Sequence, residues 1–280
     1  MHPILIQIGS FSLKSYWFFM VLGMILSGIF VFWQIKKNFD SHKAKSIIIV
    51  TILSGFIGSR ILYVFLNFGL YQKDLIRIFK FWKGGLSWQG GFVTGFLVLI
   101  LILKSNKKEI GKWLDAVIFG VLLGHALGRI GCFLQGCCYG ILTNVPWAIQ
   151  NPSLGDNLTR HPTQLYESFG YFVIFLLLYF YSKNIYSNKE NKELNSRTQK
   201  SQFPKKIQLK NGSLFFIGGF LHSFIRFVVE YFRYNKDFIY QGSTWYTTVS
   251  YAQFMALFIM IFSVFILLKI NCSKKIKNNY

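Results

Sequence analysis

The chain has 280 residues, 52% of them hydrophobic and 19% aromatic, and although only 15% are charged its formal net charge is +21. Near-continuous apolar runs separated by lysine-rich connectors exclude an ordinary soluble domain and point to a polytopic membrane protein. The lysines form no patterned basic domain, so the charge fits anionic lipid and helix orientation, with no nucleic acid as partner.

Seven apolar spans follow in order: Tyr16–Trp33, Ser46–Leu66, Trp88–Leu103, Trp113–Phe133, Thr163–Tyr181, Ser213–Phe232 and Tyr246–Leu268. The expected fold class is all-α, with about seven transmembrane helices in a single domain over residues 1–280. The N-terminus lacks a charged n-region followed by a cleavage site, so no removable signal is expected. Basic residues fill the first, third and fifth connectors and the tail, 270–280, and outnumber those on the other side. That asymmetry predicts an external N-terminus and a cytoplasmic C-terminus. The second connector, Asn67–Ser87, is basic although external. It is expected to be an interfacial amphipathic arm, with Phe79, Phe81 and Trp82 at headgroup level. The loop 183–211 is basic and polar, and is expected to be flexible.

Small residues recur at helical spacing. Gly120, Gly124 and Gly128 share one face of the fourth span, and Gly91 and Gly95 repeat the spacing in the third. Close helix packing is the expected role.

The fourth span ends in GHALGRIGCFLQGCCYG, residues 124–140. Arg129 is its centre. An arginine within or at the edge of a bilayer is costly and marks a functional site by default. Its planar fork suits bidentate recognition of phosphate, and Gly128 and Gly131 are expected to leave both its sides open. Arg60 lies in the second span, and Arg226 and Arg233 flank Glu230 in HSFIRFVVEYFR. The pair Arg226–Glu230 falls at i,i+4 and Glu230–Arg233 at i,i+3, which suits an ion-paired network. Arginines still exceed nearby carboxylates, and the anion available in a bilayer is a lipid phosphate.

His125 shares a face with Arg129, four residues on, and His222 stands in the same relation to Arg226. Either imidazole suits a general base or an orienting hydrogen-bond partner. HPTQLYES, residues 161–168, reads as a helix start, with Pro162 in the first turn and Glu167 near the positive end of the dipole. His161 and Gln164 are expected to face the outer headgroup zone. Cys132, Cys137 and Cys138 follow a C-x4-CC spacing without paired CxxC knuckles. With His125 they could supply metal ligands, but the spacing counts against it, so packing as small apolar residues is expected, with no metal and no cofactor. A catalytic thiol beside an arginine is the other reading.

These motifs resemble the prolipoprotein diacylglyceryl transferase family. The resemblance rests on GSRILYV (58–64), GGLSWQGG (84–91), GRIGCFLQGCCYG (128–140), HPTQLYES (161–168) and RFVVEYFR (226–233), with Tyr16 and Gln253 matching in context. It covers nearly the whole chain. The family's seven helices, external N-terminus and cytoplasmic C-terminus agree with the loop charges. The chain departs from the usual signature GRxGNFxNxExxG: Cys132 and Gln135 stand at its asparagines and Cys137 at its glutamate. Gln89 stands where the third-span motif has histidine, and His222 where a tyrosine precedes the second arginine.

The resemblance implies an inner-membrane bacterial enzyme that moves diacylglyceryl from phosphatidylglycerol to the lipobox cysteine of a prolipoprotein, releasing glycerol-1-phosphate. Its implied partners are phosphatidylglycerol, the prolipoprotein signal peptide and membrane lipids. Carried onto this chain, Arg129 and Arg226 take the phosphate, Glu230 and Arg233 orient them, and His125 or His222 replaces the base missing at Gln89. Arg60, Tyr16, Gln89, Arg233, His161, Gln164 and Tyr166 complete the expected lipid site. The alternative is a non-catalytic lipid- or lipoprotein-binding relative. A transporter is disfavoured, because no internal repeat or pair of broken helices is evident.

Overall fold

The computed structural model describes residues 2–9, 11–72, 74–81, 84–195, 209–234, 238–240 and 249–277. Trp82 of the expected arm and residues 196–208 of the expected flexible loop lie outside them. Strands β1 (Ile4–Ile8) and β2 (Phe11–Lys14) pair antiparallel and lead into helix α1 (Ser15–Ile35). Helices α2 (Ser41–Leu66), α3 (Trp88–Leu103) and α4 (Lys107–Gln135) follow. Strands β3 (Ile149–Gln150) and β4 (Thr159–Arg160) form a second small antiparallel pair before α5 (Thr163–Asn195). After α6 (Ser213–Glu230), strands β5 (Phe238–Tyr240) and β6 (Val249–Ser250) pair and run into α7 (Tyr251–Lys277).

Six of these helices are long and apolar enough to cross a membrane, and α3 is a seventh, shorter apolar helix. The chain is a helical polytopic membrane protein. Large apolar side chains such as Phe65, Phe169 and Ile261 stand exposed, as a lipid-facing surface requires. Helix α5 runs on to Asn195, well past the expected span end at Tyr181. Hydropathy marks only the part of a helix that lipid contacts, and the Lys/Asn/Glu stretch after it remains helical without being apolar.

Backbone contacts divide the chain into two compact units, one of residues 1–27 and 114–280, the other of residues 28–113. In the smaller unit α2 and α3 meet along a seam of small residues. A Cβ on Gly55 would lie 3.1 Å from the Gly91 carbonyl oxygen, and one on Gly90 would lie 2.6 Å from that of Gly58. The expected glycine packing in the third span is therefore present. Asp40 starts α2 by accepting the His42 N–H at 3.2 Å.

In the larger unit Gly120 and Gly124 of the fourth span pack against α1, whereas Gly128, expected to share that role, meets no described residue. Gly120 O accepts from Ser27 Oγ at 2.7 Å, and a Cβ on Gly124 would come within 2.8 Å of the same hydroxyl. The start of α6 is capped from α4: Asp115 Oδ2 accepts from Gly212 N at 2.7 Å and Oδ1 from Phe215 N at 3.1 Å. Those donors are orphans of the helix end, and the carboxylate also opposes the positive end of the dipole.

Candidate functional site

The site lies in the larger unit, where the C-terminal ends of α4 and α6 and the first turns of α5 bring charged groups together. Arg129 Nε lies 2.7 Å from Glu167 Oε2, and Arg226 Nη1 lies 2.5 Å from Glu167 Oε1. Arg226 also pairs with Glu230 through Nη2 at 2.7 Å, and Arg233 reaches the same Glu230 oxygen at 3.6 Å. Tyr171 donates to Glu167 at 3.2 Å, and Ser250 donates to Glu230 at 3.2 Å. The result is one chain of charges, Arg129–Glu167–Arg226–Glu230–Arg233.

Burial gives this chain a direction. The side chains of both glutamates are 1% exposed, whereas that of Arg129 is 21% exposed. The carboxylates form the back of the site and the guanidiniums its front. Among the described residues the terminal nitrogens of Arg129 donate no hydrogen bond, so its fork is available to an outside acceptor. The flanking glycines differ. A Cβ on Gly128 would meet nothing within 4 Å among the described residues. The same atom on Gly131 would press on Phe19 Cβ at 3.0 Å and Tyr16 Cα at 3.3 Å. Only Gly128 is open as expected; Gly131 seats the first turn of α1, and with it Tyr16.

Behind the arginines the two histidines meet. His125 Nδ1 and His222 Nε2 are 2.7 Å apart, so one ring donates and the other accepts. Tyr171 stacks on His222 with centroids 4.4 Å apart. Its hydroxyl ends on Glu167, which places the imidazole pair next to the ion network.

The end of α4 is a Schellman turn. Gly136 N donates to Phe133 O at 3.1 Å and Cys137 N to Cys132 O at 3.1 Å, with Gly136 at φ 77°. Cys138 follows at φ 62°, a left-handed value that a non-glycine residue adopts at a cost of roughly 1–2 kcal/mol. Successive carbonyls of this turn are held by side chains. Asn151 Nδ2 donates to Gly136 O at 2.8 Å, Gln164 Nε2 to Cys137 O at 2.6 Å and Thr163 Oγ1 to Cys138 O at 2.9 Å. Tyr139 O accepts from Tyr234 N at 3.1 Å. Gln164 is buried and turned inward, and so does not face the headgroup zone as expected. Its Oε1 is buried and without a hydrogen-bond partner among the described residues. His161 Nδ1 lies 3.1 Å from Tyr166 Oη, which also accepts from Trp147 Nε1 at 2.7 Å. His161 lies outside the spanning segments, and burial holds its imidazole below the ordinary value.

Two expected lipid contacts belong to the smaller unit. Gln89 is exposed at the start of α3 and accepts from Ser87 Oγ at 3.1 Å. Arg60 is committed to backbone: Nε donates to Ile78 O at 2.8 Å, Nη1 to Gly84 O and Gly85 O at 2.7 and 2.8 Å, and Nη2 to Arg77 O at 2.7 Å. Its guanidinium also lies 5.5 Å from the Tyr71 ring centroid. It anchors the connector 67–87, which is built of short 3-10 turns at Phe68–Leu70 and Leu75–Phe79.

From its position in the sequence Glu167 is expected only to oppose the helix dipole. The structure makes it the link between the two signature arginines. A signal was present: Gln164, Glu167, Ser168 and Tyr171 fall at i, i+3, i+4 and i+7, a polar stripe on an apolar helix, and all four are buried.

The sequence profile of the family described as Prolipoprotein diacylglyceryl transferase matches residues 3–269. A phosphatidylglycerol–prolipoprotein diacylglyceryl transferase of Wolbachia sp. subsp. Brugia malayi (strain TRS) is 30% identical, over 97% of this chain and 96% of its own length. One of the same name from Wolbachia pipientis subsp. Culex pipiens (strain wPip) is 32% identical, over 82% of this chain and 81% of its own. Another, from Clostridioides difficile (strain 630), is 35% identical over 62% of this chain and 70% of its own.

Proposed function

This chain belongs to the prolipoprotein diacylglyceryl transferase family, and on that premise we propose that it transfers the diacylglyceryl group of phosphatidylglycerol to a prolipoprotein. The acceptor is the thiol of a lipobox cysteine, the other product is glycerol-1-phosphate, and the setting is the inner membrane of a bacterium. The N-terminus is external and the C-terminus cytoplasmic.

The observation that carries this reading is the open fork of Arg129 in front of buried Glu167. A thiolate must displace a phosphate ester at the glycerol carbon, and negative charge grows on the departing phosphate oxygen. Arg129 and Arg226 are placed to take that charge. Because Glu167 fixes both, little reorganisation accompanies the reaction. Glu230 and Arg233 hold Arg226 from its other side. The imidazoles of His125 and His222, with no histidine at position 89, are the groups that receive the acceptor's proton, through water.

Two experiments test the reading. The chain is expressed in cells depleted of their own transferase, and the purified protein is given labelled phosphatidylglycerol with a lipobox peptide. Label on the cysteine peptide and none on its serine counterpart is the expected result. Absence of transfer with phospholipid still bound selects the non-catalytic alternative, which the glutamine at position 89 favours.

A further inference from the structure

The three cysteines of the α4 turn do more than pack. Their Sγ atoms all lie within 4.8 Å of one another, and each residue is part-buried. Sulfurs bound to one zinc at about 2.3 Å stand roughly 4 Å apart, so the cluster is close to a ligand set without rearrangement. The C-x4-CC spacing argued against a metal because it lacks paired knuckles. The fold removes that objection. The Schellman turn returns Cys137 over Cys132, and the left-handed Cys138 swings the third thiol onto the same point.

Ordinary helix closure explains part of this. Small apolar residues at the positions of Cys132 and Cys137 commonly touch across such a turn. It does not explain why Cys138 occupies a backbone conformation that glycine or asparagine adopts more cheaply. The four successive carbonyls from Gly136 to Tyr139 are each held by a separate donor, which fixes the backbone that carries Cys137 and Cys138. Second-shell restraint of this kind fixes ligand geometry in metal sites.

We propose that Cys132, Cys137 and Cys138 bind one zinc ion, and that its open fourth position takes the sulfur of the acceptor cysteine. Three protein ligands with one exchangeable position is the pattern of catalytic zinc. This deepens the transferase reading and rests on it. The chemistry fits the chain's own departures, since a thiol that coordinates zinc is deprotonated outright. A metal therefore supplies what the residue at Gln89 does not. The acceptor R–SH loses its proton on coordination, through water to the His125–His222 pair, and its sulfur then bonds to the glycerol carbon. The carbon–oxygen bond to phosphate breaks, and the electron pair leaves with the phosphate oxygen towards Arg129, which lies three residues before Cys132 on α4. The thioether product is a weak zinc ligand and departs.

The test uses the full chain in detergent, reduced with a phosphine and stripped of metal. Zinc titration should give one equivalent per chain and slow alkylation of the three cluster thiols. Cys132→Ala, Cys137→Ala and Cys138→Asn should each weaken zinc binding by more than the roughly 10–100-fold that loss of a second-shell partner costs. Asparagine tolerates the left-handed backbone at 138, which keeps that variant folded. Cys272→Ser should bind as wild type. Cobalt loaded in place of zinc should change its visible spectrum on adding a lipobox cysteine peptide, and not on adding the serine peptide. No stoichiometric metal, binding indifferent to all three substitutions, air-formed disulfide in place of metal, or an unchanged cobalt spectrum each overturns the proposal. Metal-stripped protein that transfers diacylglyceryl at full rate overturns it too and leaves the transferase reading standing. A chain that binds zinc and the peptide thiol but transfers nothing sustains the site and overturns the transferase reading alone.

Discussion

Arg129 and Arg226 hold opposite oxygens of the same buried carboxylate, Glu167, at 2.7 and 2.5 Å. The distance between the two guanidiniums is thus set by the width of one carboxyl group. Charge alone does not secure that geometry; a planar fork does.

Replacing Arg129 should therefore separate activity from stability. Arg129→Gln is expected to lose nearly all transfer, on the order of 100-fold or more, since the leaving phosphate loses a preorganised donor. Arg129→Lys keeps the charge and should still lose most of it. Melting temperature should fall little in both, because Arg226 and Tyr171 still hold Glu167. Activity and melting temperature, measured in one detergent and lipid mixture, decide this. An active glutamine variant, or one inactive only because it unfolds, removes the phosphate assignment.

Glu167 should show the reverse balance. Glu167→Ala leaves two buried-side guanidiniums facing each other without their common partner. Breaking a buried pair in this way typically costs about 3–5 kcal/mol. The variant should melt earlier than either Arg129 variant and lose activity with it. Equal melting temperatures for the Glu167 and Arg129 variants would show that the carboxylate is not the keystone.

For the imidazole pair, His125→Asn and His222→Asn should each lower kcat by about 10²–10⁴-fold while leaving KM for phosphatidylglycerol nearly unchanged. The double variant should be no worse than the worse single one, because the 2.7 Å contact makes the rings one unit. Additive losses argue for two independent roles.

Gly128 tests how closely the lipid approaches. Atoms of the described residues leave its Cβ position empty, so Gly128→Leu should fold with an unaltered melting temperature. If a headgroup passes beside Arg129, the leucine should raise KM for phosphatidylglycerol at least tenfold. Normal kinetics in that variant place the headgroup elsewhere.

Orientation is the fifth prediction. A reporter fused after Lys200 should read cytoplasmic, and one at Asn151 external. Reporters on the same side contradict the seven-span arrangement.

Much of the frame was legible because membrane burial leaves a direct trace in composition. The third span, Trp88–Leu103, coincides with α3 residue for residue, since a polar Ser87 and a basic Lys104 bound a run without charged residues. The ion pairs within HSFIRFVVEYFR were legible for a similar reason: local helical spacing decides them. The Arg226–Glu167 pair was not, because its partners lie 59 positions apart and no periodicity connects two helices. Arg60 illustrates the same limit. An arginine in a span announces a buried cation, but whether phosphate or carbonyl oxygens satisfy it depends on where the connector 67–87 folds. The three cysteines were legible as possible ligands, but the convergence of their thiols was hidden for a different reason. Spacing rules assume a regular chain, and two left-handed residues, Gly136 and Cys138, shorten the path between ligands.

The capping of α6 by Asp115 bears on how the helices move. Asp115 grips the first turn of α6, and Glu167 ties Arg226 near its other end to Arg129 on α4. Gly212 and Arg226 are separated by about 20 Å of helix rise, so α4 and α6 are fastened at two well-separated points. A slide of one helical turn, roughly 5.4 Å, would undo both fastenings at once. The two helices are consequently expected to move as a single stiff plank. Disulfide staples between α4 and α6 are therefore expected to leave turnover unchanged.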